Sequence, residues 1–194
     1  MRINIESPGA TNTTRLEEAF AGLFARTQAL GFDAVIYDYT PVPRSLEGAL
    51  ITPSLLEMRN VPDDMRRLWC ERGYYQVDPV QHFALESCAP FVWSYQRPDR
   101  SALQGRLDEN AQEVTHYMRD NNMPCGATVP LHLPHGGFVT LTGIVTDQRE
   151  ERDISETLAQ LTFLAHRFQE SAFPLFDASL LTCRHVKLSN RERE

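Results

Sequence analysis

Two alternating runs, Gly126 to Leu133 and Phe138 to Thr146, stand on either side of Pro134-His135-Gly136-Gly137. Each alternates at the period of a strand, and the glycines between them are what a tight reversal needs, so the pair is predicted to form an antiparallel hairpin. A hairpin commits the chain to a sheet whose apolar face must be covered by other elements. A third run, Phe32 to Thr40, sets Val35, Tyr37 and Tyr39 on one side and Ala34 and Ile36 on the other before Pro41 and Pro43 end it. Apolar residues on both sides predict a strand buried on both faces. Gly48 to Thr52 is read as a weaker strand.

The covering elements are helical. Leu16, Phe20, Leu23, Phe24 and Leu30 repeat at helical spacing after a Thr14/Glu17 capping box and stop at Gly31, which predicts a helix over 14–30. Pro62 opens another, with Asp63 and Asp64 in its first turn, Arg72 and Gly73 at its end, and Val61, Met65, Leu68 and Trp69 as its inward stripe. Asp78 with Pro79 caps a short helix, and Leu103, Leu107, Ala111, Val114 and Met118 predict a longer one over 101–121. Ile154, Leu158, Leu161, Leu164, Ala165 and Phe168 write a long amphipathic helix, expected to run on or re-form towards Leu181 after an interruption at Pro174. The order of elements gives an α+β fold: an α-β-α sandwich with a central antiparallel sheet of about five strands flanked by helices.

With 194 residues and 42% hydrophobic content, the chain carries one core, assigned to residues 1–180, with 181–194 as a tail. A net charge of -7 opposes attachment to phosphate backbones, so any DNA contact belongs to another segment. Cys70, Cys88, Cys125 and Cys183 follow neither a metal spacing nor a disulfide framework. No basic segment leads into an apolar run, and no apolar run is long enough to cross a bilayer. The expectation is a soluble, cytoplasmic protein with no membrane partner.

Few residues carry candidate chemistry. Asp78 before Pro79 is an ordinary N-cap, yet the same carboxylate in an apolar cleft accepts a hydrogen bond from a ligand amide; both roles hold if one oxygen faces each way. Trp93, after Pro90 and Phe91, is either a flat pocket wall or plain core, and the same alternatives hold for Trp69, Tyr74 and Tyr75. His132 and His135 lack a third ligand, so no metal site is expected. Cys125 with His116 sits in no catalytic signature, and the charges from Asp147 to Asp153 read as a solvated loop and helix start.

Gly31-Phe32-Asp33, Gly73-Tyr74, Val77-Asp78-Pro79, Trp93 and Gly126-Ala127-Thr128-Val129-Pro130-Leu131-His132 follow in the order and spacing of a known family. From about Phe32 to Phe168 the chain resembles the autoinducer-binding domain of LuxR-type quorum-sensing regulators. The resemblance implies a non-catalytic chamber for an acyl-homoserine lactone, with no cofactor. In it Asp78 meets the amide proton, Trp93 walls the ring, Thr142 helps hold the amide oxygen, and Trp69 stands where a Tyr often lines the pocket. Val80 and Tyr37 complete the implied lining. Leu188-Ser189-Asn190-Arg191-Glu192-Arg193-Glu194 resembles the opening of the family's helix-turn-helix domain. The implied partners are a second copy of the chain, DNA through that further domain, and a small-molecule signal.

Two departures bear on function. Where the family has a Trp donating to the lactone carbonyl this chain has Met65, whose thioether cannot donate, and where it has a donating Tyr it has Val61. Each buried carbonyl left without a donor costs about 1 to 3 kcal/mol, together about 2 to 6 kcal/mol, or roughly thirtyfold to more than ten-thousandfold in affinity. The expected outcome is an orphan regulator with weakened or absent lactone binding. Its chamber is either filled by its own side chains, Met65 among them, or adapted to a different ligand. The rival readings are a ligand-independent dimerisation scaffold and a lactone or amide hydrolase acting through Cys125 or Asp78.

Overall fold

A computed structural model describes residues 8–134, 136–146 and 151–181. Its frame is an antiparallel sheet of β1 (Ala34–Thr40), β2 (Leu55–Arg59), β3 (Phe91–Ser94), β4 (Cys125–His132) and β5 (Phe138–Val145), in the order β2-β1-β5-β4-β3. The hairpin read from the sequence is its centre, with β4 and β5 paired from Cys125↔Val145 to His132↔Phe138. All seven residues of β1 are buried, as a strand covered on both faces requires.

Strand parity sorts the side chains into two cores. Val35, Tyr37 and Tyr39 join Cys125, Ala127, Val129, Val139 and Leu141 under the long helices α1 (Pro8–Ala29) and α6 (Glu151–Ala172). Ala34 and Ile36 join Trp93, Phe138 and Ile144 on the opposite face. That face is covered by α2 (Met65–Glu71), α3 (Tyr74–Val77), α4 (Pro79–Glu86) and α5 (Gln112–Asp120). The result is the expected α-β-α sandwich. No helix among the described residues is long and apolar enough to cross a membrane.

Several boundaries differ from the sequence reading, and α2 starts only at Met65, with Asp64 at its N-cap position, rather than at Pro62. The first helix begins at Pro8 and runs through Thr14, which is therefore no cap; Gly31, at φ +92°, does end it. Residues 48–52 form no strand, because a turn closed by Gly48 N–H to Ser45 O leaves only an isolated Arg44↔Leu50 bridge. The edge strand is instead β2, where Leu56 and Met58 are buried and their neighbours only partly so. The predicted 101–121 helix shrinks to α5. Gly105 breaks it at φ +70°, and Asp108 Oδ1 then accepts from Ala111 N–H at 3.0 Å to start it afresh. At the other end of the chain α6 gives way to a 3₁₀ turn over Phe173–Leu175, and no helix re-forms before Leu181. The expectations placed on His135, on 147–150, on Cys183 and on 188–194 lie outside the described residues.

The strands approach closely where Trp93 crosses β4. Trp93 pairs with Gly126, and a Cβ at Gly126 would lie 2.3 Å from Gly143 O and 2.8 Å from the Trp93 ring. Gly126→Ala is therefore expected to cost at least about 2 kcal/mol in urea unfolding, since the obstructing atom is backbone in the next strand. A variant within a few tenths of a kcal/mol of the parent would show that the strands separate freely there.

Candidate functional site

Between the sheet and α2–α5 lies a cavity of about 20 Å3, room for about one water-sized molecule. Met65 and Trp69, one turn apart on α2, both face inward and are buried. Asp78 and Val80 come from the start of α4, Trp93 from β3 and Thr142 from β5. Six of the eight residues singled out in the sequence thus share one interior. Tyr37 does not: odd-numbered in β1, it faces α1 and α6, and its hydroxyl donates to Gln169 Oε1 at 2.5 Å. Val61 packs half-buried against the same apolar cluster without forming the cavity wall.

Asp78 both caps α4 and lines the cavity. Oδ1 accepts the Val80 backbone N–H at 2.9 Å, capping α4, and the Tyr95 hydroxyl at 3.1 Å. Oδ2 accepts the Trp69 indole N–H at 3.3 Å. Burial pushes the carboxyl above its usual range, against the pull of the Val80, Trp69 and Tyr95 donors. Trp93 donates its indole N–H to Thr128 Oγ1 at 3.0 Å, and that hydroxyl lies 2.9 Å from Thr142 Oγ1. Thr142 is thereby already engaged.

A second buried carboxylate escaped the sequence reading. Asp38, fully buried in β1, lies opposite Thr140 of β5 and accepts its hydroxyl. It also accepts the Tyr75 hydroxyl at 3.0 Å and Gln81 Nε2 at 3.2 Å, and both of those residues line the cavity. Burial raises its carboxyl to about 7, the three hydrogen bonds opposing the rise and the charge of Asp78 adding to it. The one signal in the sequence is an acidic residue inside a strand otherwise apolar on both faces. Tyr95, also missed, is held well above its ordinary value by burial and by Asp78.

Elsewhere the geometry assembles less. Cys125 packs under α1 and α6 whereas His116 is exposed on α5, across the sheet, so the two do not form a nucleophile and base. His132 is exposed at the end of β4, its Nε2 3.0 Å from Ser87 O. A larger groove of about 470 Å3, lined by Tyr39, Leu133, Phe173 and Leu181, lies at the α6 side and gathers Gln169 and Glu170 as its polar side chains.

The family model described as the autoinducer binding domain matches residues 15–172, most of the chain and every element around the cavity. The chain belongs to the autoinducer-binding domain family. No curated protein matches it, but solved structures do. Escherichia coli SdiA aligns over 98% of this chain and 70% of its own at 18% identity and a TM-score of 0.63; SdiA has also been solved in complex with octanoyl-rac-glycerol. CepR2 of Burkholderia cenocepacia, an N-acylhomoserine lactone dependent LuxR family transcription factor, aligns over 86% of this chain and 97% of its own at 20% identity and 0.60. The VqsR ligand-binding domain of Pseudomonas aeruginosa aligns over 87% and 97% at 14% identity and 0.55. At these identities the likeness is one of fold.

In this autoinducer-binding domain the Asp38 carboxyl keeps its proton up to about pH 7 when folded, whereas the unfolded chain releases it near pH 4. Between those values the unfolded state binds fewer protons, so stability falls as the pH rises, by on the order of a few kcal/mol, and levels off above. Asp78 adds a decline of the same sign. Asp38→Asn is expected to flatten most of it in urea melts from about pH 4 to about pH 8, whatever its effect on absolute stability. An unchanged slope would mean that Asp38 is ionised in the fold throughout.

Proposed function

We propose that this chain is the sensory and dimerising part of a LuxR-type quorum-sensing regulator, an orphan whose response to acyl-homoserine lactones is weakened or lost. The observation that carries this reading is the cavity itself. Asp78, Trp93 and Met65 meet in one interior, but only about 20 Å3 remains free and Asp78 is already hydrogen-bonded by Val80, Tyr95 and Trp69. A lactone would have to displace Met65 and would still leave its ring carbonyl without the indole donor that Met65 lacks. The names of two structural neighbours, CepR2 as lactone-dependent and SdiA with octanoyl-rac-glycerol, support a small-molecule site in this interior.

The mechanism is linkage. A ligand that buries apolar surface in this cavity stabilises the folded domain and enlarges the population able to form a homodimer and position a DNA-binding domain in the cytoplasm. The closed cavity also favours a second reading, a scaffold that dimerises with no signal. Cys125 and His116 lie on opposite sides of the sheet, which counts against a hydrolase acting through Cys125.

Thermal melts against short- and long-chain acyl-homoserine lactones are expected to stay flat at micromolar lactone. A rise in Tm that grows with lactone concentration would overturn the weakened response. Met65→Trp returns the indole donor to a filled space. It is expected to lower stability by about 1 to 3 kcal/mol without creating lactone affinity, and a calorimetric titration showing tight binding by the variant would mean that the cavity opens readily.

A further inference from the structure

The cavity is unusual in what its polar groups have left to offer. Among the described residues every side-chain N–H donor and phenolic hydroxyl in its wall is engaged by protein: Trp69 and Tyr95 on Asp78, Tyr75 on Asp38, Trp93 on Thr128, and Gln81 Nε2 on Asp38 and Thr140. One acceptor is not. Gln81 Oε1, on a side chain 4% exposed, has no hydrogen-bond partner among the described residues. Asp78 supplies a carboxylate to the same wall, Asp38 lies directly behind Tyr75 and Gln81, and among the described residues no Lys, Arg or His lines the space.

An occupant must therefore bring donors. An acyl-homoserine lactone brings a single amide N–H, and its carbonyls would meet no free side-chain N–H; an orphaned buried amide oxygen beside a carboxylate is served best by a cation bearing several N–H groups. Resting on the small-molecule reading above, we propose that this cavity is a site for a small protonated primary amine, its ammonium donating to Gln81 Oε1 and Asp78. Met65 and Met118, unbranched and adaptable, lie in the wall and give the space its capacity to enlarge around a short alkyl stem.

The chain supplies its own reporter, because its only two tryptophans, Trp69 and Trp93, both line the cavity. The intact chain would be titrated near neutral pH with n-butylamine, with n-butanol as the neutral analogue of equal length, and with octanoyl-homoserine lactone. Tryptophan emission, the two indole N–H resonances and Tm would be followed. Butylamine is expected to move both indole signals saturably and to raise Tm, and butanol to do neither. Gln81→Met, which keeps the shape and removes the acceptor, is expected to weaken the amine at least about tenfold; should it fail to fold, the contrast between amine and alcohol in the parent chain decides. Equal responses to amine and alcohol would overturn the proposal. So would indoles moved by the lactone alone, which leaves the small-molecule reading standing with another ligand class. Silence to all three would mean that solvent serves Gln81, and would remove the small-molecule reading as well.

Discussion

Two buried carboxylates hold the cavity side of this domain together. Asp78 draws Trp69 of α2, the first turn of α4 and Tyr95 beyond β3 onto one group. Asp38 does the same for Thr140 of β5, Tyr75 of α3 and Gln81 of α4. A carboxylate removed from water is costly unless donors surround it, so these contacts are conditions of the fold rather than additions to it. The short helices α2–α5 bury modest apolar faces, and they take their positions on the sheet from these polar anchors as much as from packing.

The opposite layer is built on different terms. Under α1 and α6 the sheet presents Val35, Tyr37, Tyr39, Val129 and Leu141, and Phe20, Tyr37 and Phe168 form an aromatic cluster with ring centroids 5.0 to 5.3 Å apart. Close apolar packing suffices there. One strand thus serves two chemistries, and a shift of one residue in the register of β1 would exchange them.

The strong periodic signals were legible. The β4–β5 hairpin, the two-sided burial of β1 and the apolar stripe of α6 each follow from alternation or helical spacing sustained over many residues. Weaker elements were not. β2 is a five-residue edge strand whose alternation lies between Pro53 and Asn60, and Leu103, Leu107 and Ala111 keep helical spacing although Gly105 and Asp108 interrupt the helix between them. Asp78, Trp93 and Met65 were found through resemblance. Asp38 was invisible because its partners Tyr75, Gln81 and Thr140 lie 37, 43 and 102 residues away in sequence, and only the folded chain makes a lone acidic residue in a strand a satisfied one. The free volume was illegible for a related reason, since it is what remains after many side chains have packed.

The outermost strands, β2 and β3, are only five and four residues long. So short a rim offers little template for annexing a neighbouring chain by ladder bonding. Self-association through the sheet would gain few main-chain bonds, so the sheet rim is closed to growth by its own brevity.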